Sequence, residues 1–451
     1  MRLSQRIAGV PVHGAGVALS LRPDGALLSA TGALTAHTHG SYPPEGVAPT
    51  AAARRAALGT VAGASRSAAD TLAVRTESAA WFDPSLIDGD GPDVAAIPAY
   101  RFDVAAAGDL WRVFVAAGPG AEVLDAWTTG RSLARAVCDA DSQGEERRIG
   151  TPCGAAGSYP VVRSEGQPRV AGNEDANRVY GWLGDTETFY RHYTDLGSLT
   201  DLIGVDLGDG GGKALRATVR VCAETCPYAN AYWTGGRGAV LGGAVLGLDV
   251  LAHEITHGVT ERTSGLNYVN ESGAVNESMS DVFGEFTELA TARGLPADRW
   301  KIGNGTAVGV VRDMRSPRSG PDPQPETYRG PGWAPATHSG AHPAPDNGGV
   351  HTNSGVGNRL AALITDGGRA GGRVIGGIGL AKAASLYWTV QTQLYPSAGY
   401  PALASTLTTV CRNNIDDNIA GFTESDCAAV TQAVEAVRIP LLRTRSGDAG
   451  E

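Results

Sequence analysis

Two histidines stand one helical turn apart in the segment LDVLAHEITHGVTE, at His253 and His257. The apolar residues of 248–263 recur at the spacing of a buried helix. A step of four residues brings two side chains to within about 40° of each other around the helix axis. Both imidazoles can therefore bind one cation, and Glu254 can reach a water on that cation. The pattern predicts a zinc-dependent hydrolytic site on this helix.

A second helix is predicted over 275–292, and it carries two acidic residues four positions apart, Glu277 and Asp281. A catalytic zinc keeps three protein ligands and one open position, so Glu277 is the predicted third ligand. Asp281 is predicted to accept the free ring N–H of His253 and so to fix its tautomer. The alternative for both carboxylates is a solvated helix face.

The stretch HEITH followed by SGLNYVNESGAVNESMSDVFGEF resembles the zinc site of the thermolysin-like metallopeptidases. The resemblance continues in YANAYW at 228–233, VRDM at 311–314 and DNGGVHTNSG at 346–355, and it covers about 175–437. It implies an α+β fold, in which a β-rich lobe ends in the zinc helix and a mainly helical lobe follows. It also implies a secreted endopeptidase with one zinc ion, made as a zymogen behind a small α+β propeptide.

The resemblance also divides the chain. It implies a propeptide-like region over 1–130, a linker and start of the mature chain over 131–175, a first catalytic lobe over 176–265, a helical lobe over 266–440 and a tail over 441–451. The propeptide is expected to act as an intramolecular inhibitor and chaperone, and the enzyme to be a monomer acting on proteins or peptides.

The resemblance assigns four catalytic roles. Glu254 is implied to deprotonate the attacking water. His351, oriented by Asp346, and Tyr268 are implied to stabilise the developing oxyanion. Without the resemblance, His351 would be interpreted as a surface loop histidine, and Tyr268 as a packing residue.

Substrate-binding residues are also implied by the resemblance. Asn230 and the carbonyl of Ala231 are expected to bond the peptide backbone along an edge strand, and Arg312 to bind a substrate carbonyl. Three apolar residues fall where the family lines its primed-side pocket, which implies a large hydrophobic residue after the scissile bond: Val250, Ile302 and Val311. The alternatives are a salt-bridge partner for Arg312 and ordinary core positions for the apolar residues.

Calcium ligands are expected at four carboxylates, again by resemblance: Asp249, Glu285, Glu288 and Asp298. The sequence departs from the family where Arg299, Lys301 and Asn304 replace acidic residues, and two cations there would meet like charge. One calcium ion is therefore expected rather than two. The alternative is a calcium-free acidic cluster.

The six cysteines fall into three sequence-local pairs: Cys138 with Cys153, Cys222 with Cys226, and Cys411 with Cys427. Even numbers and short spacings favour disulfides and an oxidising, extracellular compartment, the alternative being reduced and buried thiols. No signal peptide is visible at Met1, and we expect the true start to lie upstream.

Composition excludes other classes of function. A formal charge of −10 without a basic stripe argues against a nucleic-acid partner. No apolar run reaches the length of a membrane-spanning helix. Zinc peptidases with a third histidine soon after the pair are excluded because 258–266 contains none. The remaining rival is a binding protein with a vestigial zinc site.

The rest of the chain alternates strand and helix patterns. A hairpin is predicted over 10–35 around Pro23-Asp24-Gly25, a helix over 51–62, strands within 101–127, a helix over 176–194 and a strand over 214–221. A long loop is predicted over 317–349, followed by helices over 355–366, 379–394, 401–414 and 425–437.

Overall fold

The computed structural model describes residues 2–21, 27–43, 47–65, 68, 72–88, 95–106, 109–128, 133–141, 153–154, 159–194, 196–223, 225–291, 298–336, 345–417 and 419–442. The chain divides into two compact units, Met1–Ser132 and Leu133–Glu451. The predicted turn Pro23-Asp24-Gly25 and most of the predicted tail lie outside the described residues.

The first unit is a seven-stranded sheet in the order β1-β2-β4-β5-β6-β7, with β3 paired to β2. The strands are β1 (Arg2–Ile7), β2 (Val10–Leu21), β3 (Leu27–Ala33), β4 (Ala73–Phe82), β5 (Ile97–Ala106), β6 (Asp109–Ala116) and β7 (Val123–Thr128). The predicted hairpin is confirmed, since β2 and β3 pair antiparallel.

One helix, α1 (Ala51–Ser65), packs on this sheet, and a short α2 (Ser85–Asp88) follows β4. Ala53, Ala57 and Val61 recur every four residues on α1 and are fully buried. They form a core with strand residues that include Phe102 and Val113. The small side chains let the helix lie close to the sheet, so the predicted helix over 51–62 is confirmed.

The second unit begins with a mixed five-stranded sheet in the order β11-β12-β10-β8-β9. Its strands are β8 (Arg135–Asp139), β9 (Val161–Ser164), β10 (Leu215–Val221), β11 (Ala231–Trp233) and β12 (Ala239–Gly242). The segment expected to be a linker, 131–175, thus contributes β8 and β9. Both strands are short, and β8 is recruited by pairing in parallel with β10, 80 residues away at Arg135↔Leu215, a contact that local sequence patterns do not contain.

Helices make up most of the remainder: α3 (Glu174–Tyr193), α4 (Leu199–Ile203), α5 (Leu248–Arg262), α6 (Asn270–Thr291), α7 (Asp346–Asp366), α8 (Leu380–Gln393), α9 (Tyr400–Asp416) and α10 (Glu424–Ala436). Two small ribbons accompany them, β13 (Lys301–Ile302) with β14 (Arg312–Asp313), and β15 (Gly367–Ala370) with β16 (Arg373–Gly376). The predicted α+β fold, with a β-rich part ending in α5 and a mainly helical part after it, is confirmed.

Two helices begin well before their predicted starts. Helix α6 begins at Asn270 rather than at 275, and α7 begins at Asp346, inside the predicted loop 317–349. The first four residues of α7 have positive φ angles, so no helical periodicity marks this start in the sequence.

Helices α5 and α6 pack unusually closely. A Cβ atom on Gly284 of α6 would lie 2.7 Å from the carbonyl oxygen of Asp249 on α5, which leaves room only for glycine. Around this contact, one core joins the sheet to the helices through residues such as Tyr190, Leu251 and Phe283, all fully buried. The close approach brings the two helices that carry the histidines and Glu277 together.

All six cysteines are bonded in the predicted pairs, Cys138–Cys153, Cys222–Cys226 and Cys411–Cys427. The disulfide prediction is therefore confirmed. Among the described helices, we find none whose length and apolar character would let it cross a membrane.

Candidate metal centre

Three side chains from α5 and α6 meet at one point. The Nε2 atoms of His253 and His257 lie 3.1 Å apart. Oε2 of Glu277 lies 3.6 Å from Nε2 of His253, and Oε1 lies 3.4 Å from Nε2 of His257. All three residues are largely shielded from solvent. The structure therefore brings together two imidazoles and one carboxylate that could bind a single ion.

The donor set fits zinc. Two nitrogens and one carboxylate are the ligands of a catalytic zinc with one open position. Oε2 of Glu277 is buried and accepts no hydrogen bond from the described residues, which is costly unless a cation compensates it. Burial opposes ionisation of Glu277, but its hydrogen bond with His257 and its electrostatic interactions with His253 and His257 hold its pKa well below the usual range. A cation at the same point would have the same effect.

Both histidines are held by their other ring nitrogen. Nδ1 of His253 lies 2.8 Å from Oδ1 of Asp281, and Nδ1 of His257 lies 2.9 Å from Oδ1 of Asn276. Because these oxygens accept the Nδ1–H protons, both Nε2 lone pairs face the centre. Sequence reasoning missed Asn276, although it stands directly before Glu277.

Asp281 is fully buried and accepts four hydrogen bonds. Besides the hydrogen bond from His253, it accepts hydrogen bonds from Nε and Nη2 of Arg312 and from Nδ2 of Asn358, each at 2.7 Å. Burial opposes its charge, but Arg312 and His253 lower its pKa to about 2. Asp281 thereby links α5, α6, α7 and β14, and Asn358 is a second contact that sequence reasoning missed.

Glu254 lies beside the histidines on α5. Ligand atoms of His253, Glu254 and His257 all lie within 4.8 Å of one another, and Glu254 is 6% exposed. Burial raises the pKa of Glu254, and the electrostatic interactions with the two histidines oppose this shift. A carboxylate with a raised pKa is a stronger proton acceptor, which suits a general base.

Tyr268 and His351 stand at the solvent side of the centre. The hydroxyl of Tyr268 donates to Oε1 of Glu277 and lies 3.2 Å from Nε2 of His351. Tyr268 is 42% exposed, and the side chain of His351 is 52% exposed. These two polar groups can therefore meet a molecule arriving from solvent.

Asp346 orients His351. Oδ1 of Asp346 lies 2.5 Å from Nδ1 of His351, and its Oδ2 accepts the backbone N–H of Thr352. The DNGG turn makes this geometry because its residues adopt left-handed φ angles, 55° at Asp346 and 82° at Gly349. Asp, Asn and Gly tolerate that conformation best.

The predicted substrate-binding residues lie on several elements. Asn230 is exposed and precedes β11, the terminal strand of the sheet, which begins at Ala231. Ile302 and Val311 are joined by a backbone hydrogen bond of 2.7 Å beside the β13–β14 ribbon. Val250 lies on α5 and is 9% exposed. Arg312 pairs with Asp281 through Nε and Nη2.

The predicted calcium carboxylates lie on α5, on α6 and in the chain after α6: Asp249, Glu285, Glu288 and Asp298. Burial raises the pKa of Asp249 to about 6, of Glu285 to about 8 and of Glu288 to about 7. Backbone amides already bond two of them, Gly303 to Asp249 and Trp300 to Glu285. Among the described residues, the group of three ligand atoms within 4.8 Å is the one at the histidines. Calcium stays a prediction.

The fold and the site define a metallohydrolase: a buried His–His–Glu set on two packed helices, a carboxylate base beside it, and a Tyr–His pair facing solvent. Comparison with known proteins narrows this class. Residues 196–261 match the catalytic domain, and 264–439 the alpha-helical domain, of the thermolysin metallopeptidases.

Individual relatives agree. A zinc metalloproteinase of Renibacterium salmoninarum is 42% identical over 97% of this chain and 81% of its own length. A thermolysin of Alicyclobacillus acidocaldarius is 35% identical over 51% of this chain and 41% of its own length. Among solved structures, the precursor of protealysin, a metalloproteinase from Serratia proteamaculans, is 26% identical, with a TM-score of 0.50 over 69% of this chain and 88% of that chain. The chain belongs to the thermolysin family of metallopeptidases, which implies a catalytic zinc.

Proposed function

We propose that this chain is the precursor of a secreted endopeptidase, whose zinc ion is held by His253, His257 and Glu277. The observation that carries the proposal is the convergence of these three side chains, with Nε2–Nε2 and Nε2–Oε distances of 3.1 to 3.6 Å. When bound, zinc lowers the pKa of a coordinated water to about 7 and polarises a carbonyl oxygen. The remaining work falls to the side chains around it.

Glu254 is the proposed general base. It takes a proton from the water that attacks the scissile carbonyl and later passes that proton to the leaving nitrogen. Its position within 4.8 Å of both histidines supports this role. Its burial, which raises its pKa, makes it a better acceptor of the proton.

Tyr268 and His351 are the proposed oxyanion donors. The Tyr268 hydroxyl and the Nε2 of His351 lie 3.2 Å apart, so both can reach one oxygen atom. Because the Asp346 carboxylate holds Nδ1 of His351, the ring directs Nε2 towards the substrate side, and this nitrogen would need to carry a proton to act as a donor. Both donors are exposed before substrate arrives, which suits groups that act on an incoming molecule.

The peptide is proposed to lie along β11. This strand pairs with β12 on one side and is terminal in the sheet order of the described residues. An extended peptide can add to such an edge through backbone hydrogen bonds with Asn230 and Ala231. Nη1 of Arg312, the terminal nitrogen that does not bond Asp281, would bind a substrate carbonyl. Apolar Val250, Ile302 and Val311 favour a large hydrophobic residue after the scissile bond.

The first unit is the proposed propeptide, an intramolecular inhibitor and folding aid. The similarity to a precursor form of protealysin supports this assignment. Since β8 starts at Arg135 and pairs with β10, the mature chain should begin at the boundary between the two units, near 132. Three disulfides support an extracellular location. We expect a monomer.

One calcium ion is the second metal that we propose, at the carboxylates of Asp249, Glu285, Glu288 and Asp298. Oxygen-only ligands suit calcium. Burial raises the pKa values of the first three, although backbone amides bond Asp249 and Glu285, and a divalent cation would further stabilise their charged forms.

Zinc content and casein hydrolysis test the proposal together. We expect about one zinc per chain, loss of activity with a zinc chelator, and recovery when zinc is returned. Glu254→Gln should retain zinc and lose hydrolysis. A folded mature form that holds zinc but hydrolyses nothing would instead support a binding protein.

A further inference from the structure

A five-residue disulfide loop lies directly before the proposed substrate-binding edge. Cys222 follows the last residue of β10, Cys226 closes the loop, and Asn230 and β11 come next. Strand β10 lies between β12 and β8 in the sheet, so Cys222 is attached to a fixed element. The disulfide therefore ties the approach to the edge strand to the centre of the sheet.

Two backbone hydrogen bonds hold the other end of the same segment. The carbonyl of Tyr228 accepts from the N–H of Ala244 at 3.2 Å, and the carbonyl of Asn230 accepts from the N–H of Gly242 at 3.0 Å. Any side chain on Gly242 would overlap the Tyr228 backbone, so the two segments touch directly. Two backbone hydrogen bonds and one covalent link thus contribute to the position of the segment 226–230.

The three disulfides differ in their access to solvent. Cys226 is exposed, although its partner Cys222 is only 3% exposed. Both cysteines are buried in each of the other pairs, at 0% and 2% for Cys138 and Cys153, and at 0% and 7% for Cys411 and Cys427. Exchange requires that a reductant reach a sulfur atom, so the Cys222–Cys226 pair is the one open to attack.

The loops that the disulfides close also differ in length. Cys222 and Cys226 are 4 positions apart, whereas the other pairs are 15 and 16 positions apart. A disulfide that closes a shorter loop constrains the unfolded chain less. Opening Cys222–Cys226 should therefore cost less global stability than opening either buried pair.

We propose that Cys222–Cys226 is a redox-sensitive clamp that positions the substrate-binding edge, and that its reduction weakens peptide binding while the fold persists. The inference rests on the proposed peptidase function. In the chemical step, the S–S bond breaks into two thiols while a reductant is oxidised. With a trialkylphosphine, the phosphine becomes a phosphine oxide, and water supplies its oxygen and the two thiol protons.

The test treats the enzyme produced from the full chain with graded amounts of a trialkylphosphine. Free thiols are alkylated and mapped, KM and kcat for a peptide substrate are measured, and thermal unfolding is followed. We expect Cys222 and Cys226 to be labelled first, with KM raised about two- to tenfold, as loss of one or two backbone hydrogen bonds would give. We expect kcat and zinc content to stay unchanged, and reoxidation to restore KM.

A double variant, Cys222→Ala with Cys226→Ala, should show the raised KM without phosphine and should not respond to mild treatment. Labelling of a buried pair first, or an unchanged KM after selective reduction, would overturn the clamp while leaving the peptidase intact. An untreated, zinc-loaded enzyme that hydrolyses no peptide would overturn the proposed function, and the clamp with it.

Discussion

Arg312 and Asp281 form a buried bidentate ion pair, with Nε–Oδ2 and Nη2–Oδ1 distances of 2.7 Å. The same carboxylate holds the ring of His253. The pair therefore connects the orientation of a proposed zinc ligand to a residue proposed to bind substrate.

Removing the Asp281 carboxylate should lower both the stability of the fold and the affinity for zinc. Asp281→Leu leaves the Arg312 guanidinium buried without its partner, and we expect a loss of ~3–5 kcal/mol in unfolding free energy. Zinc affinity should fall about 10- to 100-fold, because His253 loses its acceptor. Urea unfolding and competition with a zinc chelator measure the two effects.

The matched control is Asp281→Leu combined with Arg312→Met, which removes both charges. This double variant should recover most of the stability and none of the zinc affinity. If the double variant is as unstable as the single variant, the unpaired charge of Arg312 does not cause the loss of stability.

Tyr268→Phe should lower kcat by about 10²- to 10³-fold, the usual cost of losing one oxyanion donor. The melting temperature should hardly change, because Tyr268 is 42% exposed. Steady-state kinetics and zinc content check this prediction, with Tyr193→Phe on α3 as the control. A loss of zinc equal to the loss of activity would assign Tyr268 to metal binding instead.

Gly284→Ala should separate α5 from α6, since the new Cβ would lie 2.7 Å from the Asp249 carbonyl oxygen. Overpacking of this kind costs about 1–3 kcal/mol, and zinc affinity should fall with it. Gly181→Ala on α3 is the matched control, because nothing lies within 4 Å of its added Cβ. That variant should gain about 0.5–1 kcal/mol. Equal effects of the two substitutions would refute the steric argument.

Stability should depend on pH through Glu285 and Glu288, whose pKa values burial raises from 4.5 to about 8 and about 7. A raised carboxyl pKa means that the folded chain binds more protons than the unfolded chain. The contribution of these two carboxyl groups to the free energy of unfolding is therefore complete below pH 4.5 and is lost as pH rises towards 8. The melting temperature in calcium-free buffer should fall across this window, and millimolar calcium should suppress the fall. Identical pH profiles with and without calcium would count against a calcium ion here.

Local sequence determined the elements of the metal centre. The four-residue step between His253 and His257, and the placement of Glu277 on the next helix, follow from helical periodicity over short stretches. The fold class followed from the resemblance to the thermolysin-like metallopeptidases, and the three disulfides from the short spacings between neighbouring cysteines.

Tertiary structure decided the contacts between distant segments. It pairs β8 with β10 and lets Asn358 and Arg312 donate hydrogen bonds to Asp281. It also brings Nε2 of His351 to 3.2 Å from the hydroxyl of Tyr268, 83 residues away in the sequence. Periodicity reports which face of an element is apolar, but not which distant element covers that face. By itself, therefore, the sequence determined which side chains were predicted to carry the chemistry, and only the folded chain decided what holds them in place.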